Sequence, residues 1–138
     1  MSDTTYILQS GQKLKAGKFC RYIGKKTIKT CKVFGVPRNG LISGLEKTSK
    51  VYCLDDAAID IIFSLMSGKP AKIKKTSYLY CLRKELELYG KLRKLKFEFI
   101  KYSGLKLKIK EMLDSLEEKH KEIKYSAVKA QLQAASMI

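Results

Sequence analysis

The hydrophobic period of this 138-residue chain changes several times, and each change predicts an element. Residues 5–8 and 18–23 read as short strands joined by a polar link; in the second, Phe19, Arg21 and Ile23 alternate with Cys20 and Tyr22. Residues 50–54 (KVYCL) read as a third strand, ending at Asp55, which is positioned to cap a helix over residues 56–66. Ser67-Gly68-Lys69-Pro70 should stop that helix with a glycine and then a proline. Further on, Leu79, Leu82, Leu86 and Tyr89 recur at spacings of 3, 4 and 3, which predicts an amphipathic helix over residues 77–89, closed by Gly90.

From Lys94 the period becomes two. Leu95, Phe97 and Phe99 alternate with Lys96 and Glu98, and after Ser103-Gly104 the residues Leu105, Leu107 and Ile109 alternate with Lys106, Lys108 and Lys110. Two alternating runs across a Ser-Gly turn predict a β-hairpin with one apolar face and one lysine face. Finally, Ile109, Leu113, Leu116, His120, Ile123, Ala127, Ala130, Ala134 and Met137 keep a 4-3 spacing, the seam of one long helix over residues 109–137.

Residues 27–47 have a different grammar. An apolar-spaced run (Ile28, Cys31, Val33, Phe34) meets the turn Gly35-Val36, and a second run follows with Leu41 and Leu45 one turn apart. Cys31 supplies a small residue where a second helix would cross, Gly35 can take the left-handed conformation that ends a helix, and Pro37 suits the first turn of the next one. The run from Cys31 to Leu41 resembles the small-x-apolar-apolar-Gly-apolar-x-x-x-x-Leu core of repressor and recombinase helix-turn-helix units. Gly40 and Gly44 depart from that pattern, each weakening the second helix by about 1 kcal/mol relative to alanine. The resemblance implies a DNA-binding unit, winged in view of the strands beside it, with Arg38, Asn39, Ile42, Ser43 and Glu46 facing outward toward base edges.

The expected fold class is therefore α+β: a helix-turn-helix with short strands, then a helix, a β-hairpin and a long C-terminal helix. It divides into units at residues 1–70 and 71–138, or packs as a single compact domain.

Charge sharpens the picture. The net charge is +16, and it is regional: +10 over residues 11–54 (11 basic, 1 acidic) and +11 over 69–110 (14 basic, 3 acidic), against −3 over 55–68 and −1 over 111–138. Like charge at this density repels itself unless a polyanion lies against it, and nucleic acid is the polyanion that suits lysine and arginine mixed with tyrosine and phenylalanine. Candidate contacts are Arg38, Asn39, Ile42, Ser43 and Lys47 on the second helix of the motif, Lys25 and Lys26 ahead of it, and Lys94, Lys96, Lys106 and Lys108 on the hairpin.

Other chemistry is sparse. Cys20, Cys31, Cys53 and Cys81 never come within ten residues of one another and His120 is the single histidine, so buried reduced thiols are expected, with neither a metal site nor a cofactor. Asp55, Asp56 and Asp60 are accounted for by capping and the helix dipole. No uncharged stretch is long enough to cross a bilayer, so an intracellular location without membrane contact is expected.

Three function classes follow. The leading expectation is a small DNA-binding regulator, with duplex DNA favoured as partner, RNA admitted, and a homodimer available through residues 109–137. The second is an RNA-binding or nucleic-acid packaging protein of viral or ribosome-associated kind, binding through the basic hairpin with Tyr78, Tyr80, Phe97 and Tyr102. The third is a metal-dependent nuclease, disfavoured by a single histidine and no carboxylate cluster outside a helix cap; the chain is expected not to be an enzyme.

Overall fold

The computed structural model describes residues 5–7, 13–34, 50–71, 73–74, 76 and 78–136. In chain order these form β1 (Thr5–Ile7), β2 (Lys13–Lys15), α1 (Ala16–Phe34), β3 (Lys50–Val51), α2 (Leu54–Ser67), α3 (Arg83–Arg93), β4 (Glu98–Phe99), α4 (Gly104–Lys119) and α5 (Ile123–Ser136). The class is α+β and mostly helical. β1 and β2 pair antiparallel, with Tyr6 opposite Leu14, whereas β3 and β4 pair parallel, with Val51 opposite Phe99.

The first departure from the sequence pattern is α1. Residues 18–23, expected as a strand, are helical. Phe19 and Ile23 satisfy a strand period and a helix period equally, and Thr27, Thr30 and Cys31 extend the helical one; all five are buried. The two threonines bring no unsatisfied hydroxyl inside, because Thr27 Oγ1 donates to the Gly24 carbonyl (2.8 Å) and Thr30 Oγ1 to the Lys26 carbonyl (2.7 Å). The first helix of the expected helix-turn-helix is thus the end of a longer helix. Its turn and second helix, with Arg38, Asn39, Ile42, Ser43 and Lys47, lie outside the described residues.

α2 is the centre of the larger core, buried from Leu54 through Ile59 and touched by both α4 and α5. Its cap is Cys53 rather than Asp55: the Cys53 N–H donates to Asp56 Oδ2 (2.8 Å), and two carboxylates in the first turn suit the positive end of the helix dipole. Gly68, at φ 74°, ends α2 as expected, its N–H donating to the Ser64 carbonyl.

α3 starts later than the apolar spacing predicts. Residues 78–81 form turns, and the Leu54 N–H donates to the Cys81 carbonyl (3.0 Å), which stitches those turns to the start of α2. Leu79, Leu82, Leu86 and Tyr89 are all buried, as their spacing requires. Gly90 does not close the helix. A Cβ there would lie 2.7 Å from the Phe97 ring, so glycine is needed for close approach. The closing residue is Lys94, at φ 54°, and the Leu95 N–H reaches back to the Gly90 carbonyl (2.9 Å) in a Schellman-type end.

The expected hairpin over residues 94–110 does not form. β4 pairs with β3, and residues 105–110 are the start of α4, where Ile109 and Leu113, four apart, are buried while Leu105 and Leu107 remain exposed. The single C-terminal helix is also broken. α4 ends at His120, which is exposed, and α5 begins three residues later. The expected seam is divided accordingly: Ile109 and Leu113 are taken up by the core around α2, Leu116 is exposed, and Val128, which the seam omits, is fully buried.

The break follows from charge. Lys124, 3% exposed, lies 2.7 Å from Asp55 of α2, 2.7 Å from Asp114 of α4 and 3.6 Å from Glu117, a geometry reached only if α5 turns back. Beside it, Arg83 pairs with Asp56 (3.2 Å) and donates to the Ile100 carbonyl, while Tyr102 donates to the same Asp56 carboxylate. Burial alone would depress the Lys124 ammonium, but Asp55 and Asp114 outweigh it and hold the group above the usual lysine range. Its stabilisation is complete below the unfolded value of about 10.4 and fades only as pH climbs through the higher folded one.

Two substitutions probe this packing. Lys124→Met leaves a buried Asp55 without its cation and should cost about 3–5 kcal/mol in urea unfolding; a loss under 1 kcal/mol would mean the carboxylates are solvated. Lys94→Gly relieves a left-handed lysine, worth about 1–2 kcal/mol and partly offset by glycine's freedom in the unfolded chain. It should therefore raise the melting temperature by a few degrees, and a fall would make the lysine side chain part of the cap.

Candidate nucleic-acid interface

Ala16, Phe19, Ile23, Thr27 and Thr30 turn one face of α1 into the protein. On the opposite face stand Lys18, Arg21, Lys25, Lys29 and Lys32, all exposed, at spacings of 3, 4, 4 and 3. At 100° and 1.5 Å per residue these five cations occupy about 80° of arc and about 21 Å of length. α1 and the preceding β2 contain no acidic residue, and β2 adds exposed Lys13 and Lys15. Among the described residues, none of the five carries an ion pair. Such a ridge can meet a row of phosphates, and an α-helix is narrow enough to enter the major groove of B-form DNA, about 12 Å wide.

Lys26, a sequence candidate, belongs to a different environment. Its Nζ donates to Glu85 Oε1 (2.8 Å) and Oε2 (3.1 Å) and to the Tyr125 hydroxyl, and sits 4.7 Å and 4.9 Å from the ring centres of Tyr22 and Tyr125. Burial works against that charge, but Glu85 outweighs burial and pushes the ammonium up. Lys26 therefore ties α1 to α3 and α5 instead of facing solvent. Lys25, its neighbour, is exposed on the ridge.

The four lysines expected on a hairpin separate into distinct places. Lys106 pairs with Asp60 (3.2 Å), lies 4.9 Å from the Phe63 ring centre, and lines a cavity of about 410 Å³ with Ser64, Lys69 and Pro70. Its charge is matched within the protein. Lys108 is exposed on α4. Lys94 and Lys96 are exposed at the rim of a second groove, of about 350 Å³, between the end of α3 and β4. Its walls include Gly90, Leu95, Phe97 and Phe99, with the two phenylalanine rings edge to face at 5.5 Å. Tyr78 is buried, and Tyr102 is engaged with Asp56.

Lys18, Arg21, Lys29 and Lys32 are not sequence candidates: a strand over residues 18–23 puts Lys18 and Arg21 on opposite faces and separates them from Lys29 and Lys32, which fall in the first helix of the expected motif. Their helical signal is nonetheless in the sequence: these cations recur at helical spacing, in antiphase to Phe19, Ile23 and Thr27, across a stretch without one acid. The carboxylates of α2 are occupied, Asp55 by Lys124, Asp56 by Arg83 and Asp60 by Lys106 and the Tyr52 hydroxyl. Among the described residues no group of three or more His, Cys, Asp or Glu could hold a metal ion, and no helix is long and apolar enough to cross a membrane. Cys31, Cys53 and Cys81 are buried, and burial pushes the Cys81 thiol up to about 12.

No protein-family model, curated protein or solved structure matches this chain.

Proposed function

We propose that the chain is a nucleic-acid-binding protein that grips the phosphate backbone with the exposed face of α1. The observation that carries this reading is the row of five solvent-facing cations on α1, without counter-ions among the described residues and opposite a face locked into the core. A membrane surface suits this helix poorly, because its apolar side is already used within the protein and cannot enter a bilayer. A nucleic acid needs only the charged side. The net charge of +16 adds long-range attraction and fast encounter. The reading assigns binding rather than catalysis, since each carboxylate of α2 already has a partner.

A sequence-reading regulator is the second reading, favoured by one observation: Cys31, the small residue at the expected crossing point, is buried on α1. A helix after Pro37 would then carry Arg38 and Asn39 to guanine and adenine edges, with Ile42, Ser43 and Lys47 behind them.

Salt dependence tests the phosphate reading. Replacing Lys18, Arg21, Lys25 and Lys29 together with glutamine should reduce the slope of log K against log salt on duplex DNA by about 0.9 for each phosphate that is no longer neutralised. Thermal stability should stay nearly constant, because exposed lysines contribute little to it. An unchanged slope would remove α1 from the interface. The second reading has a separate test in selection from a random DNA pool: Arg38→Ala or Asn39→Ala should flatten the preferred sequence by about 1–3 kcal/mol of discrimination at the affected positions. An unmodified protein that selects no sequence would sink the base-reading role while leaving backbone binding intact.

A further inference from the structure

The geometry points to the groove between α3 and β4 as a stacking site for an unpaired nucleobase, which would give the chain a preference for single strands over duplex. This inference rests on the nucleic-acid reading above and adds to it the form of the ligand. Several observations converge on the groove. It offers aromatic surface at its wall, since Phe97 and Phe99 are only half-buried and stand edge to face at 5.5 Å. Both rings are held in advance: Phe97 lies against the α3 backbone where Gly90 lacks a side chain, and Phe99 is fixed by β3–β4 pairing with the Arg83 guanidinium 5.1 Å from its ring centre. Little ordering is then left for a ligand to impose.

The rim is cationic, with exposed Lys94 and Lys96 beside Lys91, and the one acid among its described lining residues, Glu87, stands 3.8 Å from Lys91. Lys94 also occupies a left-handed position where glycine would be unstrained, and backbone strain of this kind collects at ligand sites. A cavity of about 350 Å³ is at the small end of ligand pockets and suits one base with its sugar. Bases in a duplex are stacked on one another and present no free face, so the occupant is a base from a single strand. Arg93, exposed on the last turn of α3, adds a further cation to this end of the helix.

The test uses labelled oligothymidylate of about 12 nucleotides and a duplex of the same length, at matched ionic strength. The unmodified protein should bind the single strand more tightly and show upfield shifts of the Phe97 and Phe99 ring protons on adding it. Phe97→Leu, which keeps apolar volume and removes the aromatic face, should weaken the single strand by about 5- to 150-fold and leave duplex binding unchanged. Lys94→Gly, which does not threaten the fold, should lower the single-strand salt slope by about 0.7. Ring protons that do not move while the single strand binds would overturn the groove and leave α1 as the interface. Failure to bind either oligonucleotide would defeat the nucleic-acid reading itself. Oligoglutamate that shifts the same ring protons where oligothymidylate does not would reassign the groove to an acidic peptide and overturn the inference.

Discussion

The architecture depends on charges held out of water on α2. Asp55 and Asp56 sit in the first turn of a helix whose other buried residues are all apolar, and each needs a cation supplied by another element. Lys124 brings α5, and through Asp114 it brings α4; Arg83 brings α3 and, through its bond to the Ile100 carbonyl, the segment after β4. An apolar contact tolerates sliding by a residue or two, whereas a buried carboxylate does not tolerate losing its ammonium. These ion pairs set which helix lies where, and the aliphatic side chains of the core fill the space they define.

That division of labour explains which parts of the fold are legible in the sequence. Hydrophobic spacing identifies α2 with its glycine stop and picks out Leu79, Leu82, Leu86 and Tyr89 as core, because for those residues burial and apolarity coincide. It fails where they part company. Thr27 and Thr30 are buried but polar, so the period of α1 fades at the point where it would overrule a strand at residues 18–23. Lys124 is buried and charged, so nothing in an apolar pattern announces the break between α4 and α5. Leu105 and Leu107 are apolar and exposed, which lends a false alternation to the start of a helix.

The candidate site is partly readable for the same reason. The excess of lysine and arginine over residues 11–54 and 69–110 is visible as composition, but its arrangement is not. Lys26 and Lys106 look interchangeable with Lys25 and Lys108 in the sequence, yet two of the four face carboxylates inside the molecule and two face water. A lysine's role depends on what lies across from it, and that partner can be far away in the chain: Glu85 is 59 residues from Lys26. Phe97 and Gly90 are likewise separate marks, a strand residue and a helix stop, until the backbone brings one against the other.

The reach of those partners also governs the order in which the molecule can assemble. Lys26 donates to Tyr125, 99 residues later, and Lys124 meets Asp55 across 69. Loop closure over such spans comes late, after the local turns of each helix have formed. During synthesis, α1 emerges long before α3 brings Glu85 to it, and Lys26 is for that interval one more uncompensated cation beside the five on the ridge. The growing chain is therefore most cationic along α1 while it is still attached to the ribosome, itself a polyanion. Completion of α3 supplies the carboxylate that withdraws one of those charges, and α5 then adds the Tyr125 hydroxyl to the same ammonium.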